Sequence, residues 1–227
     1  MQASRFMITA ASLSLAALMA QPAMAAGQTG PAHTHAHGSV VPVAATANPA
    51  KVDAIKAALR DLWIGHVFWV RNVVVAALAG NTAAEQAAEK QVVANAQAIA
   101  GAFEPYYGVK AKDKLFGLLA GHYGAVKAYL DASIAKDSAK QSEATTKLLN
   151  NASEIAAFLS SANPYLPKAT VEELLQAHGG HHITQIQQLQ AKNYAGEAQT
   201  WAEMSQHMYV IADALGGAVA KQFPAKF

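Results

Sequence analysis

The feature that most constrains this chain is an internal repeat of 56 residues. "LWIGHVFWV" from Leu62, "LLAGHYGAV" from Leu118 and "LLQAHGGHH" from Leu174 align without a gap, and His66, His122 and His178 fall at one position. The turn segments keep the same offset: "AGNTAA" from Ala79, "AKDSAK" from Ala135 and "AKNYAG" from Ala191. So do "ANAQAIA" from Ala94, "NNASEIA" from Asn150 and "QHMYVIA" from Gln206, which bring Asn95, Asn151 and His207 to a second shared position. Three copies of one unit imply three copies of one supersecondary element, stacked so that each covers the apolar face of the next.

The element is a helical hairpin. Apolar residues recur at helical spacing from Pro49 onward, alanine is abundant, and no alternating pattern of strands competes. The spacing predicts helices at about 50–79, 82–104, 110–135, 138–161, 170–191 and 196–222. Asn48-Pro49 opens the first as an N-cap followed by proline. Thr82-x-x-Glu85, Ser138-x-x-Gln141 and Thr170-x-x-Glu173 read as capping boxes, and Pro105, Pro164 and Pro224 stand where helices two, four and six should end. The expected fold is all-α: an up-down six-helix bundle, with repeats at about 53–108, 109–164 and 165–220 inside a domain of residues 51–227.

Spacing also predicts a polar layer. His66 and Asn95 lie almost symmetrically about the turn at Gly80-Asn81, and the other two hairpins repeat that symmetry about Lys136-Asp137 and Lys192-Asn193. Antiparallel packing therefore sets His66, Asn95, His122, Asn151, His178 and His207 at one height. A repeated His–Asn pair can be a hydrogen bond that fixes helix register. It can also be a ligand site in the bundle core, and neutral imidazole is a standard ligand for transition metals.

The composition favours the metal reading, with copper or zinc first and His66, His122, His178 and His207 as ligands. Asn95 and Asn151 then act as orienting partners. The chain has no Cys, so neither disulfides nor thiolate sites are available. The Glu-x-x-His motifs of carboxylate di-iron bundles are absent as well. The third repeat departs from the others: His178, His181 and His182 fall at i, i+3 and i+4, with Glu203 one turn before His207 and Asp213 beyond it. These groups make hairpin three the expected metal end, with His181, His182, Glu203 and Asp213 in supporting roles and at least one of His181 and His182 at the surface. A b-type haem held by two histidines and a metal-free small-molecule pocket are the alternatives. No nucleophile accompanies His207 with Glu203 or Asp213, so no enzyme class is assigned.

The N-terminal region has a different character. Arg5, an apolar run from Met7 to about Met19 and Ala23-Met24-Ala25 form a signal-peptide pattern, with cleavage expected after Ala25 and export to the periplasm or beyond. Residues 26–50 read as a flexible tether carrying His33, His35 and His37, a weak auxiliary metal tract. Removing Arg5 with the leader leaves a net charge of about +1. Without a basic stripe, nucleic acid is not an expected partner. No later apolar run is long enough to be expected to span a membrane once the leader is gone. Metal ion or small ligand remains the expected partner.

The segments "LWIGHVFWVR", "PYYG", "NNASEIAAFLSSANPYLP" and "ADALGGAVAKQFPAKF" resemble a family of small exported bacterial all-helical proteins without established function. Members of that family sometimes carry automatically assigned glycosyltransferase names. This chain has no α/β pattern, nucleotide-binding glycine loop or Asp-x-Asp to match such a name. The resemblance implies the helical fold and gives weight to the His and Asn positions.

Overall fold

The computed structural model describes residues 46–227; the leader, most of the tether and His33, His35 and His37 lie outside them. Six α-helices make up nearly all of the described chain: α1 (Pro49–Leu78), α2 (Thr82–Tyr107), α3 (Val109–Ile134), α4 (Ser138–Ala162), α5 (Lys168–Gln190) and α6 (Tyr194–Gln222). Each packs on its neighbours in sequence, and α6 returns to α1, closing a ring of three hairpins. Two ion pairs at repeat-related positions join adjacent hairpins: Lys127 to Glu85 at 3.1 Å, and Arg71 to Glu197 at 2.6 Å across the closing seam.

Local chemistry sets the hairpin turns. Gly80, Lys136 and Lys192 take the left-handed conformation at φ 67°, 57° and 58°. The next residue then caps the following helix: Asn81 accepts from the Ala84 N–H, Asp137 from Lys140 and Asn193 from Gly196. Capping thus falls one residue before Thr82 and Ser138, because an Asx side chain straight after the turn reaches the free amides first. Thr170 lies inside the first turn of α5, which starts after Pro167 without a side-chain cap. Asn48 caps α1 as expected, accepting from Ala50 at 2.9 Å. The second helix runs past Pro105 to Tyr107, since a missing N–H removes one bond without ending the helix; Gly108 at φ 81° ends it.

The interior is layered. Repeat-equivalent residues of α1, α3 and α5 are buried in threes: Leu59/Leu115/Val171, Trp63/Leu119/Leu175, His66/His122/His178, Val70/Val126/His182 and Val73/Tyr129/Gln185. The steps alternate between three and four residues, the 3.5-residue period that keeps one seam of a helix facing its partners. Among the described residues, only α1 is long and apolar enough to cross a membrane. In this fold its apolar seam, including His66, is buried against the other helices.

Candidate metal centre

The layers bring His66, His122, His178 and His182 together, each no more than 5% exposed. One ring nitrogen from each lies within 4.8 Å of the other three. Ring centroids are 6.4 Å apart for His66–His122, 5.6 Å for His66–His178, 5.4 Å for His122–His178 and 4.5 Å for His178–His182. His182 stands 5.7 and 6.3 Å from His66 and His122. Three imidazoles thus form a triangle from equivalent positions, and the fourth rises from the next layer. A tetrahedral ion with bonds of 2.0–2.1 Å sets its ligand nitrogens about 3.3 Å apart and the ring centroids about 5.2 Å apart. The Nε2 atoms of His178 and His182 are 3.2 Å apart.

Hydrogen bonding fixes which nitrogen faces inward on His122. The Leu118 carbonyl can only accept, so the Asn151 amide nitrogen points to it at 3.0 Å. Asn151 Oδ1 then accepts from His122 Nδ1–H at 3.2 Å, leaving a lone pair on Nε2. His122 Nε2, His66 Nε2 and His178 Nδ1 are buried without partners. Asn95 repeats half of this arrangement: its amide donates to Leu62 O at 2.9 Å, but its Oδ1 is buried and unpartnered.

All four rings are held neutral. Burial, with a smaller effect of His122, pushes His66 down to about 3. Burial pushes His122 down to about 4 against the opposing hydrogen bond from Asn151. His178 and His182 lie well below the ordinary imidazole range because of burial and the neighbouring histidines. Neutral imidazole is the ligating form, so no proton must leave at neutral pH before an ion binds.

His207 does not join the cluster. Its Nε2–H donates to Leu174 O at 2.8 Å, 33 residues away, the same separation as Asn95 to Leu62 and Asn151 to Leu118. The second shared position therefore supplies a donor to a helix carbonyl, which turns His207 away from the axis and toward His181 at 5.3 Å between ring centroids. Asp213 is engaged by both Nε and Nη2 of Arg60, and Glu203 is exposed and accepts from Gln199. Neither carboxylate belongs to the buried group. The fourth member, His182, is instead a residue expected only to support the site. Its repeat equivalents Val70 and Val126 are core residues, and that register was the available signal for an inward position.

Above the imidazoles, Trp63 meets His66 and His178 edge-on at 6.0 and 6.4 Å. Trp63, Leu119 and Leu175 separate them from an apolar cavity of about 30 Å³. Comparison with protein-family models, curated proteins and solved structures returns no match, so the geometry carries the functional argument by itself.

Proposed function

We propose that this protein binds one transition-metal ion, copper or zinc, through His66, His122, His178 and His182. The observation that carries the reading is a buried, carboxylate-free group of four neutral imidazoles in which the Nε2 atoms of His66 and His122 have no hydrogen-bond partner. Each unsatisfied buried polar atom costs about 1–3 kcal/mol, and coordination would satisfy them together. A set of four borderline nitrogen ligands suits zinc and copper alike. Charge favours monovalent copper: no carboxylate offsets the ion, and the cost of burying charge rises with its square. The N-terminal leader pattern supports binding of the ion outside the cytoplasm.

Haem and a metal-free organic ligand fit less well. The four rings occupy the volume a macrocycle between two of them would need. The adjoining cavity is also far below the roughly 300–1,000 Å³ of small-molecule pockets.

The test is titration of metal-free protein with Zn²⁺ and, anaerobically, with Cu⁺. One tightly held ion per chain is expected, with a rise in melting temperature that grows with free metal. His66→Ala and His178→Ala should each weaken binding, although two full repeats separate them. Protein whose stability neither metal alters would sink the reading.

A further inference from the structure

Hairpin three carries a second histidine pair that the buried centre does not use. His181 replaces Trp69 and Ala125 of the other repeats, and His207 replaces Asn95 and Asn151. The two departures meet, with ring centroids 5.3 Å apart, close to the separation of about 5.2 Å expected for two imidazoles on one tetrahedral ion. Both residues are half-buried.

The tautomer of His207 is already set for binding. Because its Nε2–H is committed to Leu174 O, its Nδ1 carries the lone pair. A backbone carbonyl on the far nitrogen is the usual partner of a metal-binding histidine. His181 Nδ1 is withdrawn from solvent and has no hydrogen-bond partner, so that side chain too has an unmet demand. Glu203 lies one turn before His207 on the same face of α6, exposed, with a single bond to its carboxylate from Gln199 Nε2 at 2.9 Å.

We propose that His181 and His207 form the core of a second, solvent-accessible site for a divalent transition-metal ion, with Glu203 as the carboxylate that swings in when the ion binds. Two imidazoles, one carboxylate and water make a borderline-to-hard set, suited to Zn²⁺ or Cu²⁺. The carboxylate gives this site the charge compensation that the buried centre lacks. Its affinity should be lower than that of a closed four-ligand site, because three ligands on an open surface leave the ion partly hydrated.

Zn²⁺ titration of the full metal-free chain by calorimetry provides the test, beside two variants that restore residues of the other repeats. His181→Ala installs the residue found at 125. His207→Asn together with Ala177→Gly rebuilds the Gly–Asn pairing of hairpins one and two, so the donation to Leu174 O is kept and folding is protected. A weaker zinc equivalent is expected in the parent chain, and each variant should lose at least ten-fold in its affinity. That loss supports the site whether or not a tighter ion is also bound, since the buried centre is read separately through His66→Ala. A parent chain with no zinc equivalent that either variant weakens overturns the proposal.

Discussion

Hairpins one and two use a glycine and an asparagine where hairpin three uses an alanine and a histidine. A β-carbon at Gly65 would stand 3.0 Å from Asn95 Nδ2, and one at Gly121 would stand 3.2 Å from Asn151 Nδ2. The short amide must approach the facing helix closely, so that helix carries no side chain there. His207 reaches the equivalent carbonyl with a longer ring, and Ala177 is accommodated. One turn along, Val70 and Val126 become His182 in the same buried layer. The scaffold contact survives the change of residue, while the second change adds a fourth imidazole to a set of three. The repeat supplies the triangle, and its broken symmetry supplies the apex.

The comparison breaks most sharply at position 182. His182→Val restores the residue of the other two hairpins and should lower metal affinity by more than about 100-fold, beyond the loss typical of an outer hydrogen-bond partner. The metal-free protein should meanwhile be as stable or more so, because a desolvated imidazole gives way to an apolar side chain. Chelator competition and denaturant melts measure the two quantities. Parallel losses in both would make His182 a packing residue.

A second test sets hairpin one against hairpin two through acid. In the folded metal-free protein His66 and His122 take up protons only near pH 3 and 4, against about 6.5 unfolded. Below pH 6.5 the unfolded chain therefore binds protons that the native chain refuses, and stability falls as pH falls. The loss should be about 2 kcal/mol per histidine at pH 5. It should saturate near pH 4 for His122, whose proton Asn151 supports, and continue toward pH 3 for His66. Denaturant melts from pH 7.5 downward, on His66→Ala and His122→Ala beside the parent, resolve the two windows.

The asparagines sharpen the same contrast. Asn151→Ala should weaken metal binding by about 10–100-fold, because it releases the ring of His122. Asn95→Ala should do less, since no hydrogen bond joins it to His66. Both should cost about 1 kcal/mol of stability through the lost bonds to Leu118 O and Leu62 O. Equal affinity losses would mean that both amides act only on helix register.

The smallest expected effect lies in the turns. Lys136→Gly and Lys192→Gly copy Gly80 into the left-handed positions of hairpins two and three. Each should raise stability by up to about 1 kcal/mol, leaving metal affinity unchanged. Thermal melts of the two variants would show it.

Much of the fold was legible because it depends on quantities that one chain states locally. Helical period, Asn48-Pro49 and the 56-residue register together determine six helices, their order and the shared height of His66, His122 and His178. The register even carried the clue to His182, through Val70 and Val126. At Thr82 and Ser138 the cap falls one residue earlier than the spacing implies, because they compete with Asn81 and Asp137 and only the left-handed turn residue decides between them. Which side of a helix the second shared position faces was decided by tertiary structure alone. A spacing fixes height along the bundle, but the rotation of α6 about its axis is set by packing on α1 and α5. That rotation brings His207 to Leu174 O and His181, and leaves the fourth place on the axis to His182.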